Sequence, residues 1–100
     1  MTTAVAITEK QFSQAVYDLA RLRGWLVARY PTWRKTGTTP GFPDLVLVRL
    51  SRVLLCELKG ERGRVSEMQS QWLMALEGTG KVEGYTWRPS DWDRIEEVLR

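Results

Sequence analysis

Three charged residues in two apolar segments are the part of the sequence best suited to chemistry. Asp44 begins the segment "DLVLVRL", and Glu57 and Lys59 lie at the end of the segment "VLLCELK". A charged side chain is costly to bury unless it is paired, binds a metal or lies at an edge that water reaches. These three residues are therefore the first candidates for a functional site.

The spacing of these residues predicts that they meet at one end of a β-hairpin. A tight turn at Ser51 and Arg52 would join the two segments, whose continuous apolarity is typical of central strands covered on both faces. Side chains alternate along a strand, so Glu57 and Lys59 share a face. In a hairpin the start of one strand lies opposite the end of the other. Asp44, which begins the first strand, is therefore opposite the end of the second. We expect the two carboxylates to be close enough to share a cation.

Two adjacent carboxylates favour a hard metal ion. Like charges raise each other's pKa unless a cation neutralises them, and oxygen ligands without histidine or thiolate select Mg²⁺ or Mn²⁺. The backbone carbonyl of Leu58 could add a ligand. Lys59 could position or deprotonate a water and stabilise negative charge on a phosphate, as phosphodiester hydrolysis requires.

Composition narrows the function further. The 100 residues are expected to form one domain, residues 1–100, with 43% hydrophobic and 27% charged residues. The absence of histidine excludes catalytic sites built on histidine and histidine metal sites. The lone Cys56 excludes an internal disulfide and is more typical of a small buried residue in a reducing compartment. A net charge of +3 is compatible with a polyanionic partner without demonstrating one.

The chain also gives no sign of membrane insertion or export. Its first residues, "MTTAVAITEK", lack the basic leader and apolar core of a signal peptide, and no segment approaches the roughly 20 apolar residues of a membrane span. We therefore expect no membrane partner and an intracellular location.

Periodicity and capping signals predict the order αβββαβα and an α/β domain with a mixed sheet of about four strands. Thr8, Ser66 and Ser90 are the predicted helix caps. The predicted elements are a helix from Glu9 to about Arg23, a strand Trp25–Tyr30, the hairpin, a helix after Ser66 that stops at Gly78, a strand Val82–Trp87 and a C-terminal helix after Ser90.

The motifs together resemble a family of nucleases. Four features follow each other along the chain: Glu9 at the start of the first helix, and then the segments "GFPDL", "CELKG" and "SEMQ". This arrangement resembles the PD-(D/E)xK nuclease signature, and in particular its VRR-NUC branch. The resemblance implies a restriction-endonuclease-like αβββαβ core with a mixed four-stranded sheet and an added C-terminal helix.

The resemblance also implies an activity. It suggests a DNA endonuclease dependent on Mg²⁺ or Mn²⁺, in which Glu9, Asp44 and Glu57 serve the metal, Lys59 acts on the water and Gln69 supports the site. Small members of the family resemble homodimeric nucleases that act on branched DNA such as Holliday junctions. The corresponding location is the cytoplasm of a bacterium or of a phage-infected cell.

Two of these residues also have simpler explanations. Glu9 could lie in the first turn of its helix because the helix dipole favours an acid there, although its position on the apolar stripe points it inward. Gln69 is three residues after Ser66, and this spacing forms a capping box. Its alignment with Trp72 permits a role in the site without requiring one.

Basic loop residues and one tryptophan are candidates for DNA contact. Arg34 and Lys35 in one loop, and Arg62 and Arg64 in another, suit contacts to phosphates, although each alone is explained by a solvated loop. Trp33 is the tryptophan to test for base stacking. Trp72 and Trp92 lie on apolar helix stripes and are expected in the core.

Two other functional classes remain open on the sequence. One is a catalytically inactive DNA-binding module of the same fold, which uses the same basic loops. The other is a protein-interaction domain whose charges form solvated pairs. The second predicts neither a thermal shift on adding metal nor salt-sensitive DNA binding.

Overall fold

A computed structural model describes residues 7–30 and 39–100. The predicted order of elements is confirmed. The elements are α1 (Glu9–Leu22), β1 (Leu26–Arg29), β2 (Leu45–Arg49), β3 (Arg52–Leu58), α2 (Glu67–Glu77), β4 (Glu83–Trp87), a 3₁₀ turn (Pro89–Asp91) and α3 (Trp92–Leu99). Within those two ranges, no helix combines the length and apolar character that a membrane crossing needs.

Two helices begin where their capping residues predict. The Thr8 side chain accepts a hydrogen bond from the Gln11 backbone N–H at 3.0 Å, and the Gln11 side chain accepts one from the Thr8 N–H at 2.8 Å. Ser66 and Gln69 make the same reciprocal pair at α2. These contacts satisfy backbone donors that a helix start leaves free.

The prediction that Ser90 caps the last helix is wrong. Ser90 lies inside the 3₁₀ turn, and α3 begins at Trp92. Pro89 opens this turn, which suits proline because the first residues of a helix need no N–H partner within it. The Asp91 side chain, rather than Ser90, accepts a hydrogen bond from the Arg88 backbone N–H at 2.9 Å.

The sheet has the order β1-β2-β3-β4, so β1 and β4 are its edge strands. β2 pairs antiparallel with β1 on one side and with β3 on the other, and β4 runs parallel to β3. This confirms a mixed four-stranded sheet. The hairpin turn is Leu50–Ser51 and not Ser51–Arg52, because Arg49 and Arg52 pair across it. Leu50 is 94% exposed and has a φ of 54°, which leucine seldom adopts.

One row of residues crosses the sheet at the end where β3 and β4 finish. The last pairs of the antiparallel ladders are Arg29 with Leu45 and Leu45 with Cys56. One position further along, the register brings four residues side by side on one face of the sheet. We call these the site row: Tyr30, Asp44, Glu57 and Thr86. The Glu57–Thr86 pair belongs to the β3–β4 ladder, and the Tyr30 N–H donates to the Asp44 carbonyl at 2.6 Å.

The main core lies on the opposite face of the sheet from the site row, between the strands and the helices α1 and α3. Its buried side chains include Phe12, Val16, Cys56, Trp87 and Ile95, and Trp92 packs at its margin. α2 contacts β4 on the other face. The expectation that both hairpin strands are covered on both faces is wrong for β2, because Val46 and Val48 are only half-buried.

The loop before β2 packs directly on the start of α2. Gly41 has a φ of +84°, and a Cβ at this position would lie 2.7 Å from the Met68 backbone carbon and from its Cβ. We expect Gly41→Ala to lower the free energy of unfolding by about 2–4 kcal/mol through backbone strain and this clash. Urea denaturation followed by circular dichroism measures the change.

Gly80→Ala is the matched control for Gly41→Ala. Gly80 also has a positive φ, +69°, but an added Cβ there would meet nothing within 4 Å. Its substitution should therefore cost about 1–2 kcal/mol, from the backbone conformation alone. Equal losses in the two variants would contradict the close packing of the loop on α2.

Candidate functional site

Asp44 and Glu57 are buried next to each other in the site row. Their side chains are 4% and 1% exposed. Asp44 Oδ2 accepts a hydrogen bond from the Leu58 backbone N–H at 2.7 Å, and Glu57 Oε1 accepts one from Gln69 Nε2 at 2.8 Å. The two carboxyl groups are also close enough for each to shift the pKa of the other. The expected meeting of these two acids therefore occurs.

One oxygen of each acid has no hydrogen-bond donor among the described residues. These atoms are Asp44 Oδ1 and Glu57 Oε2, and both are buried. Burial raises the pKa of Asp44, and burial together with the charge of Asp44 raises the pKa of Glu57 to about 9. Without a cation, the two groups are therefore expected to share a proton. Each of the two oxygens is free to bind a cation.

Lys59 lies beside this pair. It comes two residues after Glu57 and one after the end of β3, and its backbone N–H donates to the Trp87 carbonyl at 3.0 Å. The side chain is half-buried, and its positive charge lowers the pKa of both acids, against the effect of burial. Lys59 makes no ion pair with either acid among the described residues, so its ammonium acts on them through its charge and not through a direct contact.

Glu9 reaches the site from the first turn of α1. Its Oε1 accepts a hydrogen bond from the Gly60 backbone N–H at 3.2 Å, and its charge raises the pKa of both Asp44 and Glu57. Within residues 7–30 and 39–100, however, no three histidine, cysteine, aspartate or glutamate side chains are grouped so that they could hold a metal ion. Two acids lie opposite each other, and a ligand role for Glu9 stays a prediction.

Gln69 makes the contact of the capping box and also a contact to Glu57. Its Oε1 accepts the Ser66 backbone N–H at 2.8 Å, which completes the capping box of α2. Its Nε2 donates to Glu57, as described above. A backbone N–H can only donate, so the contact with Ser66 fixes which end of the amide faces Glu57. The start of α2 and the acid are thereby joined through one side chain.

The backbone of Leu58 faces Asp44. In an extended strand, the N–H and the C=O of one residue point to the same side of the strand. Because the Leu58 N–H donates to Asp44, its carbonyl lies on the side of Asp44 as well. This orientation keeps the carbonyl of Leu58 as a candidate metal ligand.

Sequence reasoning missed Arg88, which fixes the loop after β3. Its Nη1 donates to the carbonyls of Gly60 at 2.7 Å and Glu61 at 3.3 Å, and Glu61 in turn accepts the Ser90 backbone N–H at 3.0 Å. β4 runs parallel to β3, so the residue after β4 lies at the site end of the sheet. Its position directly after the predicted strand Val82–Trp87 was the signal that could have identified it.

Only part of the predicted DNA-contact set can be placed. Arg62 and Arg64 are exposed in the loop that follows β3. Arg34, Lys35 and Trp33 lie outside the described residues, so their predicted roles stay predictions. Of the tryptophans assigned to the core, Trp92 packs against the main core. Trp72 is half-buried and contacts the ring of Phe42.

Comparison with protein families assigns the chain. The sequence pattern of the VRR-NUC domain matches residues 20–86, which is about two thirds of the chain. The chain belongs to the VRR-NUC family. The matched segment of this VRR-NUC chain contains Asp44, Glu57, Lys59 and Gln69, and it begins after Glu9.

A solved structure supports the assignment of the fold. A VRR_NUC domain protein of 16% sequence identity superposes with a TM-score of 0.69, over 95% of this chain and 87% of that one. At this identity, the likeness shows a shared VRR-NUC fold. Comparison with curated proteins gives no match. The family is one of nuclease domains.

Proposed function

We propose that this VRR-NUC chain is an endonuclease that depends on Mg²⁺ or Mn²⁺ and hydrolyses phosphodiester bonds in DNA. One observation supports the proposal above the others. Asp44 and Glu57 are buried opposite each other on neighbouring strands, each has one oxygen without a donor among the described residues, and the charge of Lys59 lowers the pKa of both. Burying two such acids is costly without a cation, and a functional requirement explains the arrangement.

The residues present suit a small divalent ion. Mg²⁺ in enzymes is commonly held by one or two carboxylates, with the remaining positions filled by water and substrate phosphate. Asp44 and Glu57 would supply the carboxylates, and the Leu58 carbonyl is the candidate third protein ligand. When bound, the ion would supply positive charge beside the phosphate and lower the pKa of water.

The protein side of the proposed mechanism divides into three tasks. Lys59 would hold a water near the phosphate, or stabilise the negative charge that develops on it. Gln69 would keep Glu57 in its orientation through the hydrogen bond to Oε1. Glu9 and Arg88 would fix the backbone that follows Lys59, through the N–H and the carbonyl of Gly60.

We further propose that branched DNA is the substrate and that two copies of the chain act together. A small domain has little surface for reading base edges, so recognition of DNA shape is the economical solution. The exposed Arg62 and Arg64 suit contacts to phosphates. A two-fold dimer would supply one active site for each strand of a symmetric junction. We place this activity in the cytoplasm of a bacterial or phage-infected cell.

Cleavage assays on defined DNA structures test the proposal. Purified protein is incubated with labelled four-way junction, flap, duplex and single strand, in Mg²⁺, Mn²⁺ or EDTA. We expect incision of the branched substrates in Mg²⁺ or Mn²⁺ and none in EDTA. DNA that is bound in a salt-sensitive manner but never cut would identify an inactive DNA-binding module instead. The absence of both binding and cleavage would identify a domain of another class.

A further inference from the structure

An exposed aromatic side chain lies at one end of the site row. Tyr30 is 47% exposed and stands on β1 directly opposite Asp44, to which its backbone N–H is bonded at 2.6 Å. Neighbouring strands are about 4.8 Å apart. The Tyr30 ring therefore extends from the strand position next to Asp44, on the face of the sheet that carries the two buried acids.

Two further rings hold Tyr30 in place. Tyr30 and Phe42 make an edge contact with ring centroids 5.6 Å apart and planes at 74°. Phe42 makes a second edge contact, at 5.3 Å and 75°, with Trp72 on α2. Edge contacts of this kind add stability beyond the area that they bury. The exposed ring is thus held by its neighbours, which lowers the entropy lost when a ligand binds it.

The other exposed apolar side chains do not share this position. Leu50 lies in the hairpin turn at the opposite end of the sheet. Leu26 is 75% exposed on the same strand and the same face as Tyr30, but it is four residues away, about 13 Å. Of the large apolar side chains exposed within the described residues, Tyr30 is the one in the site row.

We propose that Tyr30 stacks on an unpaired base of the DNA strand whose phosphate lies at Asp44 and Glu57. This inference rests on the proposed function and adds to it a preference for a base that is displaced from its helix. Such bases occur at branch points, and every base has a face that an aromatic ring can stack on. A strand whose phosphate lies at the acids passes next to this ring.

The proposal predicts a measurable loss of affinity. Stacking of one base on an aromatic ring corresponds to roughly a 5- to 150-fold change in affinity when the ring is removed. Tyr30→Leu keeps an apolar side chain and removes the aromatic face. Tyr30→Phe keeps that face and should bind as the unaltered protein does. Leu26→Ala, on the same strand, is the control for loss of an exposed apolar side chain.

A fluorescent base reports the contact without relying on cleavage. A four-way junction carries one 2-aminopurine, which is moved one nucleotide at a time across the branch point. The protein carries Lys59→Ala so that the DNA stays intact, and Mg²⁺ is present. We expect binding to quench the fluorescence at one position. Tyr30→Phe and Leu26→Ala should retain the quenching, and Tyr30→Leu should abolish it and weaken the affinity.

An abasic nucleotide completes the test. Removing the base at the quenched position should weaken binding of the protein that has Tyr30. It should leave binding of the Tyr30→Leu variant unchanged, because that variant has already lost the same stacking contact. Losses that multiply, or quenching that survives in Tyr30→Leu, would overturn the stacking proposal even where the junction is cut. If quenching is observed but the protein with Lys59 intact cuts none of the DNA structures, the nuclease proposal is overturned and the stacking contact remains supported.

Discussion

Replacing Lys59 with alanine should lower kcat for junction cleavage by about 10²- to 10⁴-fold and change the Kd for the junction little. A side chain that transfers a proton, or that stabilises charge at the reacting phosphate, contributes on this scale. Its share of DNA binding is small by comparison, because it is one cation among several. Single-turnover cleavage and fluorescence anisotropy of the labelled junction measure the two quantities.

Lys81→Ala is the control for Lys59→Ala. Lys81 is exposed just before β4, at the end of the sheet away from the site row, and its loss removes the same charge. We expect its kcat to match that of the unaltered protein. A Lys59→Ala variant that cuts at the normal rate would exclude a direct role for the lysine. A variant that loses binding and cleavage in parallel would make it a DNA-binding residue instead.

Replacing Glu57 with glutamine should have opposite effects with and without metal. In EDTA at pH 8, the variant should be more stable than the unaltered protein, by about 2 kcal/mol or about 10 °C in Tm. It removes a buried acid next to Asp44, and the amide can donate a hydrogen bond to that neighbour. With saturating Mn²⁺, only the unaltered protein should gain stability, by about 2–3 kcal/mol. Cleavage should be lost.

The effect of pH follows from the raised pKa of Glu57. In the folded, metal-free protein the pKa of Glu57 is about 9, against an ordinary value of 4.5. Between these two values the folded state keeps a proton that the unfolded chain releases, so stability falls as the pH rises. Tm measured in EDTA from pH 5 to pH 9 should therefore fall more steeply for the unaltered protein than for Glu57→Gln.

Glu97→Gln supplies the comparison for both measurements. Glu97 is exposed on α3, so the same chemical change there removes a solvated charge. It should leave the pH profile and the stabilisation by Mn²⁺ as they are. Parallel Tm profiles for the unaltered protein and Glu57→Gln, or an undiminished Mn²⁺ effect in Glu57→Gln, would contradict a metal site at the two acids.

The meeting of the acids could be predicted because short-range rules govern it. Alternation along a strand and the closure of a hairpin suffice to bring Asp44 to the end of β3. The partner of Asp44 was less predictable. A turn at Ser51 and Arg52 would place Asp44 opposite Lys59, whereas the observed turn, one residue earlier, places it opposite Glu57. A shift by two positions keeps the side chains on the same face.

Contacts between distant segments could not be derived in the same way. Arg88 reaches Gly60 across 28 positions of sequence, and Gln69 on α2, whose start packs against the loop at Gly41, reaches Glu57 on β3. Local patterns gave the capping box and the helix, and the packing that turns the other end of the Gln69 amide to Glu57 depends on the whole fold. The role of Ser90 failed for a local reason, since Pro89 and Asp91 form a turn before α3.

The short edge strand β1 also lowers the tendency of this sheet to aggregate. An unpaired strand edge offers its backbone groups as a template for another chain. β1 has only four residues, about 13 Å of strand, and the sequence continues with Pro31 one residue beyond Tyr30, where no N–H is available to donate. The template is thus too short to seed a growing intermolecular sheet, although Leu26 is largely exposed on it.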